Sequence, residues 1–182
     1  GRTWLDGLNG LGYGLYNGAR AYINVDKIDL CRYAYGFYYS PSFNNTITTT
    51  YVTANTSMGL NVVSAASGIS IGTVWANNNG NGVYLDSSAG VFAQTVTSPN
   101  CTSNGVTFNL CQSCTVTTLS AYNCGTGLTT SSVNFNGAQD CEVSTLQGGY
   151  SIGSGIYANG CVNCYVNGGT INTSAAGVYY LS

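Results

Sequence analysis

A glycine followed by an apolar residue, and often then by tyrosine, returns along this chain at Gly14, Gly36, Gly59, Gly82, Gly105, Gly155 and Gly177, with Ser132 filling the one gap. Successive separations are 22, 23, 23, 23, 27, 23 and 22 residues. Spacing this regular marks an internal repeat, and the repeat is too short for a helix-turn-helix unit. The position after each anchor is Leu15, Phe37, Leu60, Val83, Val106, Val133, Ile156 and Val178, apolar every time. The next is mostly Tyr or Asn, and the one after it reads Asn17, Tyr39, Val62, Leu85, Phe108, Phe135, Ala158 and Tyr180. An in, out, in alternation has a period of two, so this part of the repeat is a strand.

A second apolar series begins about nine positions past the anchor, with Ile23/Val25/Ile28, Ile69/Ile71, Val91/Ala93/Val96, Cys114/Val116/Leu119, Cys141/Val143/Leu146 and Cys164/Val166. Four positions past the anchor, four consecutive repeats carry Asp86, Asn109, Asn136 and Asn159. A column of Asn at a bend lets each amide bond the one above and below it. A strand-bend-strand unit of fixed length buries its apolar face only by winding into a coil stacked on copies of itself. The expected fold is all-β: a parallel β-helix solenoid of about seven coils of 22–27 residues. At about 4.8 Å per coil this makes a rod roughly 34 Å long.

This pattern, from residue 14 to 182, resembles the right-handed parallel β-helix of the pectate-lyase-like class, which often carries an Asn ladder at one bend. The resemblance implies right-handed winding. Members of that class include polysaccharide lyases, hydrolases and tailspikes, so carboxylates need scrutiny. Glycoside hydrolysis uses two carboxylates facing one cleft, whereas the acids here are Asp6, Asp26, Asp29, Asp86, Asp140 and Glu142, dispersed along the chain. Asp26, Lys27, Asp29, Arg20 and Arg32 share the first coil, which suits ion pairs that fix register better than catalysis. With no His, no base after Arg32 and no nucleophile-base pair, no enzymatic activity is expected, and neither a cofactor nor a resident metal.

Composition narrows the partners. Of 182 residues only 10 are charged, with 4 Lys+Arg, so no basic patch exists for nucleic acid and self-association is poorly opposed. No apolar run reaches the length of a membrane span. Eight Cys, scarce Lys and Glu, the absence of an initiator Met and four Asn-x-Ser/Thr sequons at Asn44, Asn55, Asn100 and Asn172 point to a processed, exported, glycosylated protein. Two CxxC pairs, Cys111/Cys114 and Cys161/Cys164, lie two coils apart, about 9.6 Å, too far for one four-thiolate zinc site. The expected disulfides are Cys111–Cys114, Cys161–Cys164 and Cys101–Cys124, leaving Cys31 and Cys141, with Cys31 available for a bond between subunits.

The chain divides into an N-terminal segment, 1–13, and the coils of 14–182. Solenoid ends need polar caps, and none is evident: the first segment bears Trp4, Leu5, Leu8 and Leu11, and the last coil breaks off with Val178, Tyr180 and Leu181. Six residues of tail and thirteen of head nearly make one coil, so copies are expected to stack head to tail or to donate the head as a strand. The outward Tyr16, Tyr38, Tyr84, Tyr157 and Tyr179 form a row suited to sugars or a neighbouring filament. An ice-binding face needs a flat Thr array, and the outward second-strand positions Phe92/Gln94, Thr115/Thr117, Glu142/Ser144 and Tyr165/Asn167 supply none. The composition is similar to that of surface filament proteins of thermophilic archaea. The expected function is a structural subunit of an extracellular filament; the alternatives are a carbohydrate-binding adhesin or tailspike-like module, and a degenerate polysaccharide lyase.

Overall fold

The computed structural model describes residues 3–8, 11–18, 21–40, 43–64, 67–125, 130–148, 153–172 and 176–181. Strands in chain order are β1 Thr3–Asp6, β2 Tyr13–Gly18, β3 Asn24–Val25, β4 Ile28–Cys31, β5 Tyr35–Ser40, β6 Thr46–Thr53, β7 Met58–Val63, β8 Ser70–Asn77 and β9 Asn81–Asp86. They continue with β10 Phe92–Pro99, β11 Val106–Asn109, β12 Thr115–Tyr122, β13 Ser131–Asn136, β14 Glu142–Gly148, β15 Ser154–Asn159, β16 Tyr165–Val166, β17 Gly169–Thr170 and β18 Ala176–Leu181. Sequence neighbours do not pair. One sheet runs β1-β4-β6-β8-β10-β12-β14-β16, with β3 on β6 and β17 on β14; the other runs β18-β15-β13-β11-β9-β7-β5-β2. Every pairing is parallel. The protein is a parallel β-solenoid.

The register follows the sequence repeat. Leu15, Phe37, Leu60, Val83, Val106, Val133, Ile156 and Val178 pair in one unbroken column. From Phe37 to Val133 that column is buried, as are Tyr39, Val62, Leu85, Phe108 and Phe135 two positions on. The anchor glycines have a steric cause. A Cβ on Gly36 would meet the carbonyl oxygen of Gly59 at 2.7 Å, one on Gly59 that of Gly82 at 2.7 Å, and one on Gly82 that of Gly105 at 2.5 Å. Each coil rests its backbone where the neighbour's side chain would stand.

A third, short side consists of single parallel bridges, Ala21–Phe43–Ser67–Ala89–Gln112–Gln139–Val162, so the coil is three-sided. Each corner turns through one residue with φ near +55°, for example Ser64, Ser87, Leu110, Gly137 and Gly160 at the first. Asn44, Gly68, Gly90, Ser113, Asp140 and Asn163 turn the second, and Arg32, Ala54, Asn78, Asn100 and Asn123 the third. The left-handed conformation is costly for most side chains and cheapest for Gly and Asn, which explains much of the composition. In the longer sheet strands the alternation breaks once: Ile71, Val74 and Ala76 point inward while Gly72 and Thr73 both face out. No helix among the described residues is long and apolar enough to cross a membrane.

Candidate functional site: the stacked face, the ladders and the coil edges

Tyr16, Tyr38, Asn61, Tyr84, Thr107, Asn134, Tyr157 and Tyr179 pair in one column down the second sheet. The alignment is as the spacing implies, but the column is no exposed row. Tyr16 is 57% exposed, whereas Tyr157, Asn61, Thr107 and Asn134 are buried, and Tyr38 and Tyr84 lie between. Neighbouring side chains rise around them, so this face is the floor of a trough. Its middle is a cavity of about 360 Å3 closed at the ends by Tyr84 and Tyr157, with Thr107 and Asn134 beneath and amides such as Asn81 and Asn104 on the rim. Thr107 is 4% exposed and its Oγ1 has no hydrogen-bond partner. The side chain of Tyr179 lies outside the described residues.

At the N-terminal end the trough opens onto four tyrosines. Tyr13 stacks on Tyr35 with ring centroids 5.2 Å apart, Tyr16 on Tyr38 at 5.5 Å, and Tyr13 meets Tyr38 edge-on at 4.8 Å. Burial pushes the Tyr38 hydroxyl pKa up. Tyr13 and Tyr35 escape a reading built on one column, although the repeated Tyr-x-x-Tyr of residues 13–16 and 35–38 is visible in the sequence.

The Asn ladder forms. Asn109 Nδ2 donates to Asp86 Oδ1 at 2.7 Å, Asn136 Nδ2 to Asn109 Oδ1 at 2.6 Å, and Asn159 Nδ2 to Asn136 Oδ1 at 2.9 Å. It is half-buried at the corner rather than enclosed. Further ladders escape sequence reading: Asn123 to Asn100 to Asn77, Asn104 to Asn81, and inside the core Asn55 Nδ2 to Asn79 Oδ1 at 3.0 Å. The surface ladders run from the later coil to the earlier, whereas the core pair Asn55–Asn79 runs from the earlier to the later. Carboxylates, which only accept, start such runs: Asn163 donates to Asp140, and Asn167 to Glu142. The acids of the central and C-terminal coils are therefore structural acceptors.

The ladders decide the fate of the sequons. Asn55 is 1% exposed and its amide also reaches Leu30 O at 3.4 Å, so no glycan fits there in the folded chain, which corrects that sequon. Asn44, Asn100 and Asn172 are exposed.

Cys114, Cys141 and Cys164 stand in one inward column with Ile69 and Val91, since Thr115 N bonds Val91 O, Glu142 N bonds Cys114 O and Tyr165 N bonds Cys141 O. Cys111 and Cys161 share a second column with Ala138 between them. Cys101 stacks beneath Cys124 and hydrogen-bonds to it, continuing the column of Asn55 and Asn79. All eight are thiols in this structure. Among the described residues no group of three or more His, Cys, Asp or Glu side chains is arranged to hold a metal ion.

The first coil carries the charge. Arg32 clasps Asp6 through Nε at 2.8 Å from Oδ1 and a second contact from Nη2 to Oδ2. That guanidinium, with the Leu8 N–H, holds the Asp6 carboxyl down at about 2. Lys27 and Asp26 are paired at 3.8 Å on the surface. Arg20 lies outside the described residues. Thr3–Asp6 pairs in register with Ile28–Cys31 as the edge of the first sheet. Exposed apolar groups crowd this edge: Trp4 at 63%, Leu8 at 71% and Leu11 at 79%, with Leu5 beside them. At the opposite edge Val178 is 62% exposed and helps line an open cavity of about 250 Å3 with Phe135, Ile156, Cys161, Cys164 and Val166. The side chains of Tyr180 and Leu181 lie outside the described residues.

On the first sheet, Thr49, Thr73, Thr95, Thr118 and Thr145 pair as one outward file. Strict alternation overlooks this file, because it begins where the strand shows two outward residues in succession. Its neighbour in the same strands reads Tyr51, Trp75, Thr97, Ser120 and Gln147, so the file is single and no flat Thr array results. Set against family models, curated proteins and solved structures, the chain matches none, and the functional reading rests on its fold and its own residues.

Proposed function

We propose that this chain is a structural subunit of an extracellular filament, a right-handed β-helix of the pectate-lyase-like kind that grows head to tail by stacking coil on coil. The observation that carries the reading is the likeness of its two edges. The edge strands of the second sheet present Gly14-Leu15-Tyr16 and Gly177-Val178-Tyr179, at positions that pair in register through every coil between them with an apolar residue at the centre each time. Both edges expose apolar side chains, Leu8 and Leu11 at one and Val178 at the other, and an exposed sheet edge templates further strands. A heterologous contact of this sort does not close and gives a fibre. Exposed sequons at Asn44, Asn100 and Asn172 carry glycans outward on this reading, and the function is mechanical rather than catalytic.

Negative-stain microscopy and light scattering of the purified full chain test it: filaments with a smooth axial repeat are expected, and Val178→Lys, which places a charge on the stacking edge, shortens or abolishes them. Particles that stay monodisperse at 19 kDa as concentration rises overturn the proposal.

A second reading, a carbohydrate-binding module, is favoured by the trough. Two aromatic end walls, a rim of amides and the unpartnered Thr107 hydroxyl offer the stacking and hydrogen bonding that a polyhydroxylated chain needs. Glycan-array binding by the Val178→Lys variant that is lost in Tyr84→Ala supports it; no binding in either removes it.

A further inference from the structure

Five of the eight cysteines occupy one contiguous run of positions. Cys114, Cys141 and Cys164 stack in successive coils, and Cys111 and Cys161 stand three residues before Cys114 and Cys164; their thiols donate to backbone carbonyls, Cys111 to Leu85 O at 3.1 Å and Cys164 to Ala138 O at 3.4 Å. Cys111, Cys114 and Cys141 are 0–2% exposed, whereas Cys161 and Cys164 are half-buried and line the open cavity at the C-terminal edge. A disulfide spans Cα atoms about 4.4–6.8 Å apart, and neighbouring coils lie about 4.8 Å apart. Pairing therefore joins only adjacent members of the chain 111–114–141–164–161; Cys114 and Cys164, two coils apart, cannot bond.

We infer that these five thiols are one sulfur relay: it takes up two disulfides through its C-terminal edge and keeps a single thiol that migrates along the column. An oxidant of the small-molecule disulfide class reaches only the edge. There Cys161 and Cys164 each lose a proton and together give up two electrons, the Cys161–Cys164 bond forms, and the oxidant leaves as two thiols. The Cys141 thiolate then attacks Cys164 Sγ; the Cys141–Cys164 bond forms, the Cys161–Cys164 bond breaks, and Cys161 leaves as a thiolate that takes the proton Cys141 gave up. Cys114 attacks Cys141 in the same way, which frees Cys164 beside Cys161 for a second equivalent of oxidant. Buried sulfur is oxidised without the oxidant entering the core.

A linear chain of five has three complete pairings. They leave Cys111, Cys141 or Cys161 as the odd thiol, and never Cys114 or Cys164. The neighbouring Cys111 thiol raises the Cys114 pKa to about 12, and the Cys114 thiol together with burial raises that of Cys141 to about 11, so the exchange is slow at neutral pH. Cys101 and Cys124 have no such path to the surface. They are 1% and 0% exposed and separate from the relay.

The test uses the folded full chain treated with oxidised glutathione, then with iodoacetamide without unfolding, then digested and mapped by mass spectrometry. The expected result is two column disulfides and an alkyl group that collects at Cys161, with Cys111–Cys114 and Cys141–Cys164 as the bonds left behind. In Cys141→Ser the chain splits into two closed pairs, and the label at Cys161 disappears. A buried, unlabelled Cys141 as the sole odd thiol overturns migration. Failure of any column disulfide to form, or oxidation of Cys101/Cys124 as fast as the column, overturns entry from the edge.

Discussion

Direction in the corner ladder makes Asn136 and Asp86 unequal although both occupy the same column. Asn136 donates to Asn109 Oδ1 at 2.6 Å and accepts from Asn159 at 2.9 Å, whereas Asp86, the first rung, accepts from Asn109 at 2.7 Å. Asn136→Asp keeps the bond from Asn159, removes the donor to Asn109 and sets a carboxylate oxygen against the Asn109 carbonyl oxygen. One lost hydrogen bond and one stranded half-buried acceptor together cost about 1–3 kcal/mol. At about 2–4 °C per kcal/mol for a chain of this size, the Tm falls by roughly 2–12 °C. Asp86→Asn preserves the acceptor and stays within about 0.5 kcal/mol of the parent. The introduced carboxyl, half-buried against the Asn109 carbonyl oxygen, takes up a proton to donate at a pH above its ordinary pKa of about 3.9, so the deficit of Asn136→Asp, present at neutral pH, shrinks on acidification. Thermal melts by circular dichroism at neutral and acid pH measure this. Equal Tm losses for the two variants, or a deficit that grows in acid, refute the directional ladder.

Tyr39 is wholly buried, stacked on Phe37 at 4.6 Å, and its hydroxyl has no partner, so Tyr39→Phe should stabilise the fold or leave it unchanged, gaining up to about 1–3 kcal/mol in denaturant melts. Gly59→Ala places a Cβ 2.7 Å from the Gly82 carbonyl oxygen and 2.8 Å from Asn79 Nδ2, and overpacking of that kind costs about 1–3 kcal/mol in the same melts. The Asp6 carboxyl, held at about 2 against an ordinary 3.8, favours the folded first coil at every pH above that ordinary value and loses its effect as pH falls towards 2. Carbon-detected NMR titration should give the low midpoint in the parent and an ordinary one in Arg32→Gln; a normal midpoint in the parent removes the clasp.

The corner ladder was legible because Asp86, Asn109, Asn136 and Asn159 hold one offset from the anchors. The inner pair Asn55/Asn79 was not, because Asn55 reads equally well as a sequon and only burial separates a core amide from a glycan site. The Tyr column was legible as alignment and not as exposure: Tyr16 and Tyr157 share an offset, but one stands at an open edge and the other beneath its neighbours. The Thr file stayed hidden because alternation slips at Gly72–Thr73, where the strand shows two outward residues in succession.

What the chain determines by itself is the repeat. A fixed interval between glycines that cannot bear a Cβ, an apolar residue after each one and Gly or Asn at many of the left-handed corners leave a coil stacked on itself as the solution that buries the apolar face. Those are local constraints, felt within one turn of the solenoid, and sequence spacing records them. What only the tertiary structure decided is which members of an identical column are covered, which amide donates to which, and that Cys141 joins two CxxC pairs into one path. Burial and partnership depend on the coil above and the coil below, and two residues with the same offset become different chemistry when their neighbours differ.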